Sequence, residues 1–268
     1  MLVVARRPER ACPHNARAIQ WGVNDNVYIH EFIDIIGHNR ANYMHHMTAN
    51  FSPMAQEDRK QLCFGVWGVV GTTRGWPEVL NLWEEPGFDG LARSFRHEFN
   101  HTTLQDPKLA KWWAEAANYR RHGDDRVLVP APWSPTITEL TDAGVQGETY
   151  AHEQIHVPLG TARDFLERVA DEAVPVYEQF GWKLCGAWET AMVNESECFL
   201  HWAIPTWESW AETELAERKE GALREWRRRT YELSERWHRF LVVDAPLSPM
   251  RIGRQPARED RHEGWTDL

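Results

Sequence analysis

Residues 27–36 and residues 150–157 are rich in β-branched and aromatic side chains and place aliphatic residues at alternate positions, the two-residue period of a strand with one face in a core. Gly37 ends the first run and Pro158-Leu159-Gly160 the second. A helical period follows each. Phe165, Leu166, Val169, Val176, Tyr177 and Phe180 form one apolar stripe after the second run, and Met44, Met47, Phe51 and Met54 form a similar stripe after the first. Two strands joined by a turn come next in each case, residues 62–70 with 79–84 and residues 184–193 with 197–204. A second helical region (residues 88–101 with 107–121, or residues 206–238) and a short last strand then close each unit.

The two series match residue by residue. Tyr28-Ile29-His30-Glu31-Phe32-Ile33 meets Tyr150-Ala151-His152-Glu153-Gln154-Ile155 at a shift of 122 residues, with Tyr, His, Glu and Ile identical. Leu62-Cys63 meets Leu184-Cys185, Trp67 meets Trp188 and Trp83 meets Trp202 at nearly the same shift. Arg126-x-Leu128-Val129 also resembles Arg239-x-Leu241-Val242. A slowly drifting offset kept over separate matches predicts one β-α-β-β-α unit used twice in tandem. The expected organisation is a 1–26 extension, a first ferredoxin-like unit over 27–130, a linker over 131–147, a second unit over 148–244 and a polar tail over 245–268. A single unit leaves one sheet face bare, and two units stacked face to face bury it. The predicted fold is therefore α+β, a pseudo-symmetric barrel of two ferredoxin-like halves.

Gly65-Val66-Trp67 and Gly186-Ala187-Trp188 in the middle hairpins, with the aromatic and charged first strands ending in Gly37 and Gly160, give the chain a family likeness. It resembles two tandem copies of the NIPSNAP-like family within the dimeric α+β barrel superfamily. The resemblance implies either an enzyme, most concretely an oxygenase with heme or without a cofactor, or a non-catalytic binding or scaffold protein. In heme-binding members a helical histidine ligates the iron, which makes His45 and His46, in Met44-His45-His46-Met47, the candidate heme ligands.

Composition narrows the partners. A net charge of −10 with both signs interspersed disfavours a nucleic-acid surface. No apolar run approaches the roughly 20 residues of a membrane span, and the four-residue apolar stretch among Arg6, Arg7, Arg10 and Arg17 is short for a secretory signal. A cytoplasmic protein with reduced cysteines is expected. The 15 tryptophans predict an aromatic core, an aromatic pocket or both. The natural ligand is then a hydrophobic small molecule, aromatic or terpenoid, while pairing of the chain into a homodimer stays open.

Alternation on the first strands selects the candidate site. Ile29, Ile33 and Ile35 share one face, suited to lie under helices, and Tyr28, His30 and Phe32 share the other with Asp34; Tyr150, His152, Gln154 and His156 correspond in the second copy. The second set is expected to line a pocket. His30 and His152 are the candidate acid–base residues, with Tyr28 and Tyr150 as hydroxyl donors to a developing oxyanion. Trp67, Trp188, Phe32 and Gln154 are the candidate substrate contacts. His97-Glu98-Phe99-Asn100-His101 fits the H-E-x-x-H pattern of zinc hydrolases. It lacks a third ligand at zincin spacing and a counterpart in the second copy, so no metal site is assigned there.

Overall fold

The computed structural model describes residues 21–261. Eight antiparallel strands close into a barrel in the order β1-β3-β2-β8-β5-β7-β6-β4, with β4 returning to β1. They are β1 (Val27–Ile35), β2 (Leu62–Val69), β3 (Glu78–Glu85), β4 (Arg120–Pro130), β5 (Thr149–His156), β6 (Lys183–Ala191), β7 (Glu197–Ile204) and β8 (Arg236–Asp244). Helices cover the outside: α1 (residues 40–59), α2 (Gly87–Phe99) and α3 (Pro107–Ala116) over the first four strands, and α5 (residues 162–180), α6 (Trp207–Glu217) and α7 (Ala222–Leu233) over the last four. Between the halves lies α4 (Ile137–Asp142), and α8 (Pro249–Ile252) follows β8. The fold is α+β, and its two halves run through the same order of elements.

The likeness of the halves extends to their irregularities. Each first helix contains a π-helical segment, His46–Phe51 in α1 and Val169–Ala173 in α5. Each hairpin has a register shift just before its Gly-x-Trp, between Cys63 and Gly65 and between Leu184 and Gly186. The reason for glycine there is steric: a Cβ at Gly65 would fall on the Trp67 indole, and one at Gly186 on the Trp188 indole. Both indoles are thereby laid flat against their own strands inside the barrel.

Burial divides the core into three layers. Tyr28, Phe32, Phe64, Trp67, Leu80, Leu82, Leu128, Tyr150, Trp188, Phe199, Phe240 and Val242 fill the barrel. Ile33, Ile35, Tyr43, Met47, Phe51, Trp83 and Trp112 pack between the first half of the sheet and its helices. Ile155, Val157, Phe165, Val169, Tyr177, Trp182, Trp202 and Trp226 do so in the second half. Each buried indole withdraws roughly 200 Å² from water, worth about 5 kcal/mol before entropy is counted. Seven of the 15 tryptophans are buried in this way.

Two details differ from the sequence expectation. The run that resembles Arg126-x-Leu128 is displaced by one residue in the sheet: Tyr28 pairs with Leu128, while Tyr150 pairs with Val242. Arg126 therefore stands opposite His30 and turns inward, whereas Arg239 stands opposite Glu153 and turns outward. The segment after β8, expected as a polar tail, packs on the barrel and on α1 as far as Arg258. Met250 joins the barrel core, Gln255 donates to Cys63 O at 2.8 Å and accepts from its N–H at 2.9 Å, and Arg258 pairs with Glu57 on α1. Most of residues 1–26 and residues 262–268, with Cys12, lie outside the described residues; Cys63, Cys185 and Cys198 are free thiols. Among the described residues no helix is long and apolar enough to cross a membrane.

Candidate functional site

The alternation of β1 and β5 carries His30 and His152 to the barrel centre, both wholly buried. Their Nε2 atoms meet at 3.0 Å. On its other side His152 Nδ1 meets Nδ1 of His201, directly opposite on β7, at 3.1 Å. Three imidazoles thus stand in series. Burial pushes all three pKa values down, that of His201 to about 3; nearby Arg126, Arg74 and His201 add to the effect on His30, and His30, His201 and Arg74 on His152. At neutral pH each ring is uncharged and carries a single proton.

Rings surround this series. His30 lies 4.3 Å from Phe199 and 4.6 Å from Phe32 by centroids, and His201 lies 4.4 Å from Trp67 and stacks on Tyr150 at 5.3 Å. Inside the barrel four ring nitrogens, His30 Nδ1, Trp67 Nε1, Trp188 Nε1 and His201 Nε2, are buried with no hydrogen-bond partner among the described residues. Such atoms are rare in a folded interior and costly in an apolar one.

The two ends of the barrel differ. At the Tyr28 and Tyr150 end, Ile137 and Leu140 of α4 and Met250 of α8 close the core. At the other end stand two Arg–Glu pairs, Arg74 with Glu78 and Arg126 with Glu197. Arg74 lies over Phe32 at 4.2 Å and Phe240 at 4.8 Å, and Arg126 lies 5.7 Å from the Phe199 centroid.

The sequence candidates fare unequally. His30, His152, Tyr28, Tyr150, Trp67, Trp188 and Phe32 come together inside the barrel. They make a filled interior of touching rings instead of the open pocket expected from their alternation. The tyrosines are not free oxyanion donors: Tyr28 Oη donates to Glu84 at 2.9 Å and Tyr150 Oη to Asp244 at 3.2 Å. Burial and these carboxylates raise both phenol pKa values. Gln154 donates to Glu197 Oε1 at 2.6 Å, which places it at the Arg126 end.

His46 does not suit heme ligation. Its Nε2 meets Trp112 O at 3.1 Å, its Nδ1 meets Asn50 Nδ2 at 2.9 Å, and its ring stacks on Trp112, so neither nitrogen is left for iron. His45 is half-buried on the preceding turn. In the H-E-x-x-H stretch α2 ends at Phe99, before His101, and Glu98 pairs with Arg59 at 3.3 Å. His97 and His101 instead lie 3.7 and 3.6 Å from Asp106, which caps α3 by accepting from Leu109 N. No group of three His, Cys, Asp or Glu side chains suited to a metal occurs among the described residues.

His201 is the main residue that sequence comparison missed, because its counterpart on β3 is Leu82 and a search for matched pairs passes over it. Alternation from Phe199 to Ala203 was the available signal. Arg126 and Glu197 were missed because their pairing depends on register, and Arg74 with Glu78, a local pair four residues apart, because the turn that carries them had no counterpart in the second copy.

No family model matches the chain, and no curated protein matches it. Among solved structures, a candidate monooxygenase from Lactobacillus acidophilus is similar with a TM-score of 0.55 at 9% identity, over 83% of this chain and 95% of that one. An anthrone oxidase-like protein is similar with a TM-score of 0.52 at 8% identity, over 82% of this chain and 92% of that one. A NIPSNAP domain protein from Burkholderia xenovorans aligns over 35% of this chain and 92% of its own, at 16% identity and a TM-score of 0.31. The first two share the barrel fold with this chain; at such identity the likeness is one of fold.

Proposed function

We propose that the protein is a small-molecule enzyme of the oxygenase type, acting on a hydrophobic aromatic or terpenoid substrate with the barrel imidazoles as its acid–base groups. The observation that carries this reading is the serial contact of His30, His152 and His201 in a core where leucine and valine would have packed without unpaired nitrogens. The fold shared with a candidate monooxygenase and an anthrone oxidase-like protein is compatible with it. A neutral imidazole takes a proton from an acidic C–H or O–H of the substrate, and the electron-rich anion left behind reduces dioxygen. Because the interior is filled, the reading requires the Arg74 and Arg126 end to open before an aromatic ligand reaches His30. The two halves are read, on the same proposal, as tandem NIPSNAP-like copies.

The test measures oxygen consumption with a panel of phenols and aromatic alkenes for the parent protein and for His30→Ala and His152→Ala, alongside their melting temperatures. Turnover by the parent, lost in a variant that still folds, supports the reading. Absence of both turnover and ligand binding across the panel overturns it. A second reading, a non-catalytic binding or scaffold protein, is favoured by one observation: Tyr28, His30, Trp67, Tyr150, His152 and Trp188 are all wholly buried.

A further inference from the structure

We infer that His30, His152 and His201 form a reversible proton wire through the barrel, with His30 Nδ1 and His201 Nε2 as its two terminals. This deepens the acid–base role proposed above, adds His201 to the residues that carry it, and rests on that reading for its place in turnover.

Counting protons fixes how the three rings connect. The series has two contacts, His30 Nε2 to His152 Nε2 at 3.0 Å and His152 Nδ1 to His201 Nδ1 at 3.1 Å. Each becomes a hydrogen bond only if one nitrogen carries the hydrogen and the other a lone pair. A neutral ring has one N–H, so two arrangements alone satisfy both contacts. In one, His201 Nδ1–H donates to His152 Nδ1, and His152 Nε2–H donates to His30 Nε2. His30 then holds its proton on Nδ1, and His201 Nε2 is a bare lone pair. In the other, every bond runs in reverse: His30 donates from Nε2, His152 donates from Nδ1, and His201 holds its proton on Nε2. Either way one terminal is a donor and the other an acceptor.

Passage between the arrangements is balanced. A proton arrives on the His201 Nε2 lone pair, the Nδ1 proton of His201 passes to His152 Nδ1, and the Nε2 proton of His152 passes to His30 Nε2. The Nδ1 proton of His30 leaves. Three N–H bonds form, three break, and each ring ends neutral. The terminals are the two histidine nitrogens left without a partner in the barrel, and exchange of their protons requires the same opening of the barrel that the proposed function requires. Charged neighbours favour the neutral rings: Arg74 and Arg126 oppose an added positive charge on His30, and Arg74 opposes one on His152. The ring centroids, 5.1 Å apart for His30 and His152 and 5.3 Å for His152 and His201, suit imidazoles joined edge to edge.

The wire makes a statement that independent histidines would not. His30 and His201 must always carry their protons on the same-named nitrogen, and His152 on the opposite one. Nitrogen-15 NMR of the full chain labelled in histidine, recorded without substrate at pH 7, reads the three tautomers directly. The expected result is His30 and His201 both Nδ1–H with His152 Nε2–H, or the reverse set, or averaging of all three together. Different tautomers on His30 and His201, an imidazolium among the three, or a stoichiometric metal in their place would overturn the wire. His201→Leu copies the Leu82 of the other half and keeps the core apolar, and it should lower kcat about 100-fold with KM little changed. An unchanged kcat in that variant, once turnover is found, also overturns the wire. If the tautomer pattern appears but no substrate turns over, the oxygenase reading fails and the wire stands.

Discussion

Glu31 and Glu153 hold the same place on β1 and β5, yet only Glu153 is hydrogen-bonded to a guanidinium; Arg120 acts on Glu31 through its charge alone. Arg239, the partner of Glu153 on β8, donates to it at 3.0 Å, whereas the residue opposite Glu31 on β4 is Asp125. In the second half the network runs on: Arg239 and Arg227 both donate to Glu217, and Tyr177 Oη donates to the same carboxylate. Glu31 receives only neutral donors, Asn81 Nδ2 at 3.0 Å and Trp83 Nε1 at 2.8 Å. Burial, then the Asp125 charge, raises its pKa to about 7, and burial raises that of Glu85 to about 7.

This predicts a loss of stability on the alkaline side. A carboxyl whose folded pKa lies above its unfolded one stabilises most when both states are protonated, and that contribution is lost as pH rises from the unfolded value through about 7. The melting temperature of the parent should fall relative to that of Glu31→Gln as pH rises from 5 to 8. Glu31→Gln should recover on the order of 2 kcal/mol at pH 8 and little at pH 5. A gap between parent and Glu31→Gln that is the same at pH 5 and pH 8 would count against a buried neutral Glu31.

The histidines act with the opposite sign. Their folded pKa values are depressed, that of His201 to about 3, so their contribution is present above the unfolded value near 6.5 and lost as pH falls. Denaturant midpoints should decline from pH 6.5 downward, and His201→Leu should flatten that decline. A variant with an acid limb as steep as the parent's would show that His201 is not held neutral.

Gly65→Ala and Gly186→Ala should each cost about 2–4 kcal/mol, because the added methyl collides with Trp67 or Trp188. Urea unfolding measures this. Gly37→Ala has open space around its Cβ but a φ of 58°, so it tests backbone strain alone and should cost about 1 kcal/mol.

Dialysis against a chelator should leave the melting temperature unchanged, because His97 and His101 already face Asp106. A fall of several degrees, reversed by zinc, would restore the metal reading of that stretch. His46→Ala should lower stability by about 2–3 kcal/mol through loss of its Trp112 and Asn50 contacts.

Either half expressed alone, cut within residues 131–147, should self-associate or precipitate. It would expose the rings of the barrel interior and leave the β2 and β4 edges, or those of β6 and β8, unpaired. A well-folded monomeric half would contradict this account of the core.

The α+β class and the inward face of β1 and β5 could be read from the sequence because both rest on local period. Tyr28, His30 and Phe32 alternate with Ile29 and Ile33 whatever lies around them. What could not be read depends on long-range register. The Arg126 and Arg239 runs look alike, but a one-residue slip against Tyr28 and Tyr150 sends one guanidinium to the barrel mouth and the other beneath the helices. Whether the inward rings enclose a space is likewise a matter of summed volume: Trp67 and Trp188, folded over Gly65 and Gly186, occupy room that alternation leaves undecided.

The barrel has two seams between its halves, β2 with β8 and β4 with β6, and both join segments of one polypeptide. Its closure is therefore a first-order event, independent of protein concentration, and dilution cannot open it. A substitution also enters such a barrel once, whereas a symmetric pair of separate subunits would receive it twice. His201 can thus face Leu82 across the pseudo-axis, one half ending the imidazole series and the other supplying only bulk.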